Sequence, residues 1–281
     1  MRYFLCLSYD GAEFCGWQIQ PHSPSVQASV EAALSRLLGH PVAITGAGRT
    51  DTGVHAAGYI AHFDTDAPLP FEASDFTYKL NAILPRSVAV HSVFPVADDM
   101  HSRFSATRRE YTYFIHRVKD PFVRGYSWLC GYPGLDFDAM NRACQYLLGT
   151  HDFSCFEKTG GDNKTSICTV YDAFWAPYTP SHLSVMREPE GRACPGAFAR
   201  TGSRSDAEGQ ALPSGGDYWY FRIAADRFLR NMVRATVGSL IEVGRGKHSP
   251  EWIAQLIASG TRSDAGESVP GHALFLNAVR Y

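Results

Sequence analysis

The chain has no Cys-x-x-Cys pair, no His-Glu-x-x-His cluster and no long apolar run. Its seven cysteines, at 6, 15, 130, 144, 155, 168 and 194, are odd in number and scattered. That argues against a disulfide framework and against a zinc site, and most of them read as small buried hydrophobes. The eleven histidines show no metal-ligating spacing, so no metal is implied. No stretch approaches the roughly 18 apolar residues of a membrane span. The opening Met1-Arg2-Tyr3-Phe4-Leu5-Cys6-Leu7-Ser8-Tyr9-Asp10 is too short in apolar residues for a signal peptide and reads as a first strand. A soluble, cytoplasmic chain without membrane contact is the expectation. An excess of positive charge is missing as well, since the net charge is −2.

What is present is segregated charge. From His101 to Arg124 six basic residues (103, 108, 109, 117, 119, 124) face only Glu110 and Asp120, and from Arg222 to His248 six more (222, 227, 230, 234, 245, 247) face only Asp226 and Glu242. Asp64, Asp66, Glu72 and Asp75 form an acidic stretch with no basic residue between them. For a nucleic-acid partner the distribution matters more than the sum.

The 281 residues suggest roughly two domains of about 150 residues. Strands are expected at Tyr3–Tyr9, Pro41–Thr45, Tyr59–Phe63 and Val88–Val96, with helices around Val26–Leu38 and Phe76–Leu84. The second part repeats this order more loosely. Strands are expected at Glu110–Val118, Ile167–Trp175, Leu183–Met186, Tyr218–Ala224 and Ala273–Val279. Helices are expected over Met140–Leu148, over Leu229–Ile241 and after Ser249-Pro250. Two successive β-α-β, β-α-β units predict an α+β fold of two ferredoxin-like (RNP-like) halves, residues 1–104 and 105–281. These would form an extended, mainly antiparallel sheet with helices on one face and a central cleft. The stretch 188–216, rich in Gly, Ser, Pro and Arg, lacks the apolar residues to bury a face and reads as a mobile insertion.

One loop concentrates the chemistry: Gly46-Ala47-Gly48-Arg49-Thr50-Asp51-Thr52-Gly53-Val54-His55. It sets a single carboxylate, Asp51, among glycines that permit strained backbone. A dinucleotide-binding loop fails, because Asp51 stands where the third glycine belongs. A phosphate-gripping loop fails for want of a nearby lysine. Asp51-Thr52-Gly53 has the tripeptide of aspartic proteases, which use two such carboxylates. Here Arg49-Thr50 precede it in place of an apolar strand, and the only near repeat, Phe63-Asp64-Thr65-Asp66, lacks the glycine. No cofactor motif remains, and none is expected.

The loop closely resembles the Gly-Arg-Thr-Asp-Ala-Gly-Val-His-Ala motif of the tRNA pseudouridine synthase A family, and further blocks agree in order. They are Tyr9-Asp10-Gly11 with Phe14, Gly16, Trp17 and Gln18; Val26-Gln27; Leu80-Asn81 with Leu84-Pro85; and the basic-aromatic run Phe104–Tyr113. Gly149 with His151-Asp152-Phe153, Phe228–Arg234 with Val237–Leu240, and Leu274-Phe275-Leu276 complete the series. Thr52, Ala235 and Ala273 depart from the usual residues, and none of these removes a reacting group.

The resemblance implies a cofactor-free isomerisation of uridine to pseudouridine in the anticodon arm of tRNA, at positions 38, 39 and 40, by a homodimer. It implies Asp51 as nucleophile, attacking the uracil ring or the sugar, with Arg234 as its ion-pair partner and Tyr111 stacking on the flipped base. Arg49 would fill the vacated space or hold the adjacent phosphate. Arg103, Arg108, Arg109, Arg227 and Arg230 would track the phosphate backbone. His55 is read as a hydrogen-bonded structural residue. A non-catalytic RNA-binding module is the alternative, and the set Asp51, Tyr111 and Arg234 speaks against it.

Overall fold

The computed structural model describes residues 1–158, 160, 165–186 and 215–281. The insertion expected over 188–216 falls outside them, apart from its last two residues. In chain order the elements are β1 (Arg2–Tyr9), α1 (Val26–Leu38), β2 (Thr45–Gly46), β3 (His55–Asp64), α2 (Ala73–Ile83) and β4 (Val88–Val96). There follow β5 (Arg108–His116), β6 (Trp128–Leu129), α3 (Phe137–Cys144), β7 (Gly149–Asp152), β8 (Ile167–Pro177) and α4 (Ser181–Met186). Last come β9 (Tyr218–Ala225), α5 (Met232–Gly244), α6 (Trp252–Ser259) and β10 (Leu274–Arg280).

All ten strands found among the described residues join one sheet, whose main path is β4-β1-β3-β10-β5-β9-β8-β7, with β2 on β3 and β6 on β5. With β2 counted at its pairing on β3, the sheet contains two copies of one order, β4-β1-β3-β2 and β10-β5-β9-β8. Each is the order of a split β-α-β motif, so the expected mainly antiparallel α+β sheet is found. The halves meet where β10 lies parallel to β3, with Phe275 opposite His55 and Leu276 opposite Ala56. On its other side β10 runs antiparallel to β5, with Leu276 opposite Tyr111.

Strand alternation decides what faces what. Tyr3, Leu5, Leu7 and Tyr9 of β1 pack with Val26, Val30 and Leu34 of α1 and with Phe76 and Leu80 of α2. In the second half Tyr113 and Ile115 of β5 pack with Met140, Ala143 and Cys144 of α3 and with Met232, Val233 and Val237 of α5. The helices of both halves therefore cover the same face. Tyr111 touches both cores and marks the seam. Among the described residues no helix is long and apolar enough to cross a membrane.

Local signals explain the element boundaries. Ser25 caps α1 by accepting the Ala28 N–H at 3.3 Å. Leu84, before Pro85, is extended with ψ 150° and ends α2. Four expectations change. Leu183–Met186 is not a strand but part of the helix α4; Pro180 has the fixed φ that suits a helix entry, and its carbonyl accepts the Leu183 N–H at 3.0 Å. The strand expected over Pro41–Thr45 pairs only at Thr45–Gly46. The helix expected as far as Leu148 tightens after Cys144 into a 3₁₀ turn, Gln145–Leu147. The apolar periodicity from Leu229 precedes the helix itself, because Asn231 turns left-handed (φ 64°) and α5 starts at Met232.

Candidate active site

The seam carries a cavity of about 1070 Å³. Its walls come from the 47–54 loop, from residues 103–111 and from 226–234. Asp51 and Arg234, 183 positions apart in the chain, meet here: Arg234 Nη1 donates to Asp51 Oδ2 at 3.1 Å. Both side chains are partly shielded, 32% and 22% exposed respectively, so the pair is neither fully screened nor sealed from a ligand. Arg234 Nε donates to the Val269 carbonyl at 2.7 Å, which fixes the guanidinium plane. Arg234 sits in the first turn of α5, so the positive end of the helix also lies toward the carboxylate.

The loop presenting Asp51 is tied on both sides of that residue. The Trp17 N–H donates to Thr50 O at 3.2 Å, and the Val54 N–H to Asp51 O at 3.1 Å. The Tyr9 and Thr50 hydroxyls share a hydrogen bond of 2.9 Å, and the Tyr59 hydroxyl donates to Gly48 O. Burial holds both phenols well above the ordinary tyrosine range, so both remain protonated. Of the loop glycines, Gly46 is needed for space, since a Cβ there would meet the Trp17 indole at 2.6 Å. Gly53 is needed for its φ of 75°. His55 receives the Gly11 N–H at Nδ1 (3.0 Å) and lies 2.9 Å from the His272 carbonyl through Nε2, a structural bridge between β3 and the approach to β10.

Tyr111 lines the cavity from the middle of β5, with Phe228 packed edge-on at 5.0 Å and 84°. Burial pushes its phenol up to about 12, assisted by the nearby Asp51 charge and opposed by Arg109. The ring therefore stands in the site as a neutral phenol at ordinary pH.

The cavity lining includes Arg49, Arg103, Arg109, Arg227, Arg230 and Arg234 against Asp51 and Asp226. That balance selects an anionic ligand. Arg103 and Arg230 are exposed at the wall, as is Arg49. Arg109 is different. It is 9% exposed and donates to three carbonyls, Asp226 at 2.7 Å, Ala47 at 3.0 Å and Arg103 at 2.6 Å. Its guanidinium clips three walls of the cavity together and has little left for phosphate. Arg108 is not among the cavity residues. One residue from Arg109 on a strand, it turns to the other face and pairs with Glu110 at 2.9 Å, beside Arg222 and Arg280.

Several residues of the site were not picked out individually in the sequence. Phe104 and Phe228 line the main cavity, while Lys158 and Arg262 line an adjoining pocket of about 390 Å³ that also reaches Asp51 and Arg234. Arg262 carries no motif of its own. It is placed by bonds to Gly266 O at 3.1 Å and Ser268 Oγ at 2.8 Å.

A mixed sheet of two β-α-β-β-α-β halves, with an aspartate–arginine pair and a tyrosine at its seam, defines a pseudouridine-synthase fold. The family model described as tRNA pseudouridine synthase matches residues 5–105 and 143–281, and the chain belongs to that family. It is 43% identical to the tRNA pseudouridine synthase A of Parabacteroides distasonis, over 100% of this chain and 96% of the relative. The tRNA pseudouridine synthase A of Porphyromonas gingivalis is 41% identical, over 100% and 97%. A tRNA pseudouridine synthase A 1 of Desulfotalea psychrophila is 38% identical, over 99% and 98%.

Proposed function

We propose that this chain isomerises uridine to pseudouridine in the anticodon arm of tRNA, at positions 38, 39 and 40, with Asp51 as the nucleophile. The observation that carries the reading is the Asp51–Arg234 contact of 3.1 Å in an arginine-rich cavity that Tyr111 also lines. Family membership and the names of the relatives support the coarser statement, an isomerase acting on tRNA. The anticodon arm, a homodimer with the tRNA across both subunits, and a cytoplasmic setting follow from the resemblance noted in the sequence.

In the reaction the N1–C1′ bond breaks and a C5–C1′ bond forms. C5 loses a proton and N1 gains one, so atoms and electrons balance without a second reagent. A stacked uridine is out of reach and must be flipped, at a cost of a few kcal/mol. The arginines at the cavity wall supply phosphate contacts for the opened strand. Asp51, held by Arg234 and by the bonded loop around it, serves an attack on the ring or on the anomeric carbon equally. Its bond to the substrate breaks again as the C-glycosidic product is completed, which regenerates the carboxylate. Tyr111 offers the flipped uracil a π face. Because its phenol is held near 12 by burial, it accepts the C5 proton only by passing its own onward, so stacking is its primary role.

The test is chemical mapping of pseudouridine in anticodon-arm RNA treated with wild-type or Asp51→Asn protein. Pseudouridine from the wild type and none from the variant is the expected result. Equal yields from both would sink the nucleophile assignment, and tight binding without any product would favour a binding module.

A further inference from the structure

Phe104 is 77% exposed and stands among the residues lining the cavity. It belongs to a turn that is built, not loose. The His101 N–H donates to Ser105 Oγ at 2.9 Å, and the Ser105 N–H returns to His101 O at 3.0 Å. The N–H groups of Arg103 and Phe104 both donate to His101 Nδ1, at 3.0 and 3.2 Å. Beneath them the buried Ser102 donates its N–H to His62 Nδ1 (3.2 Å) and its hydroxyl to Thr45 O (2.7 Å), and it accepts the Tyr281 hydroxyl at 2.7 Å. Arg109 grips the Arg103 carbonyl.

Residues 101 to 105 are thus each fixed, and the ring at the apex is held out from the core. The His101 ring lies 4.3 Å from it, tilted by 38°, and the Arg103 guanidinium stands over the ring, 5.6 Å from its centroid. Covering a phenylalanine is favourable, so a rigid turn that forgoes this cover keeps the ring available for a ligand.

We propose that Phe104 is a stacking platform for a nucleobase flanking the uridine in the cavity, a positioning residue that takes no part in bond making. The inference rests on the tRNA reading of the cleft. A nucleobase is the fitting occupant because a largely exposed aromatic ring, with the Arg103 cation over it, stands on the rim of an arginine-lined cavity. Unstacked bases of RNA loops are held by this combination.

A double-mutant cycle tests it. Dissociation constants are measured for wild type, Phe104→Ala, Phe104→Leu and Phe104→Trp. The ligands are an anticodon stem-loop RNA and the same RNA carrying an abasic sugar at each position flanking the reacting uridine, with pseudouridine yield followed in parallel. With intact RNA, the alanine and leucine variants are expected to bind roughly 5- to 150-fold more weakly, the range of one base–aromatic stack. Tryptophan should restore wild-type affinity. At one abasic position, wild type and Phe104→Ala should bind equally.

Equal weakening by Phe104→Ala on intact and all abasic RNAs overturns the proposal. So does a changed oligomer mass for that variant, which would assign the ring to a protein interface. Coupling without any pseudouridine would keep the stack and sink the catalytic reading; pseudouridine without coupling would do the reverse.

Discussion

Arg109 separates scaffold from RNA contact most sharply. Arg109→Met keeps most of the side-chain volume and removes every donor. Three carbonyls then lose a charged partner: Ala47 on the Asp51 loop, Arg103 at the rim and Asp226 ahead of α5. Hydrogen bonds to charged groups contribute about 1.5–3 kcal/mol each. Arg103 is an exposed residue, so water can replace the donor there, and the remaining two bonds set a loss of roughly 3–6 kcal/mol. For a chain of this length that is on the order of 10 °C in melting temperature. Arg109→Lys should recover little of it, because one ammonium cannot reach all three carbonyls in the geometry of a planar fork.

A phosphate contact would behave otherwise. Its removal lowers the slope of log affinity against log salt by about 0.7–0.9 and leaves folding alone. Arg230→Met, at an exposed position on the same cavity, is expected to show that second pattern. Thermal melts and filter binding across a salt series distinguish the two. A wild-type melting temperature for Arg109→Met, together with a shallower salt slope, would refute the scaffold assignment.

Arg234→Met breaks the 3.1 Å bond to Asp51. It should lower turnover roughly 10- to 150-fold, the equivalent of about 1.5–3 kcal/mol, with RNA affinity changed about threefold or less; single-turnover rates equal to wild type would contradict the ion-pair role. His62, under the 101–105 turn, is lowered from 6.5 to about 4, first by burial and then by the charges of Arg2 and His101. Because the folded value lies below the unfolded one, its stabilisation is complete above about pH 6.5 and is lost as the pH falls toward about 4, at up to about 1.4 kcal/mol per unit. Melts between about pH 7 and about pH 4 should show a shallower acid slope for His62→Asn, and an unchanged slope would refute the assignment.

Much of this was legible in the sequence. The alternating run from Tyr111 to Ile115 and the capped helix after Ser25 come from local periods and caps, and the repeat of β-α-β units gave the sheet. The Asp51 loop, too, is a contiguous string. What was not legible depends on distant partners. Arg108 and Arg109 are adjacent and chemically alike, yet strand alternation sends one to Glu110 and the other to carbonyls contributed by residues 47, 103 and 226. Nothing in the doublet says which face is which. Asn231 breaks the helical period at Leu229 through one left-handed residue, and Arg262 enters the site only because the chain after α6 folds back on α5.

The place of β10 has a consequence for biogenesis. The Asp51 loop is made early, and β1, β2, β3 and β4 can pair as soon as they leave the ribosome, but the His55–Ala56 end of β3 that β2 leaves unpaired waits for Phe275 and Leu276. Until then both β3 and β5 offer open edges to any other strand, and the aspartate has neither its arginine nor its tyrosine in place. The Asp51–Arg234–Tyr111 cluster is therefore assembled only once residues 274–280 have been made. A chain interrupted before β10 would display the Asp51 loop without its partners, and its exposed edges would mark it for aggregation or proteolysis.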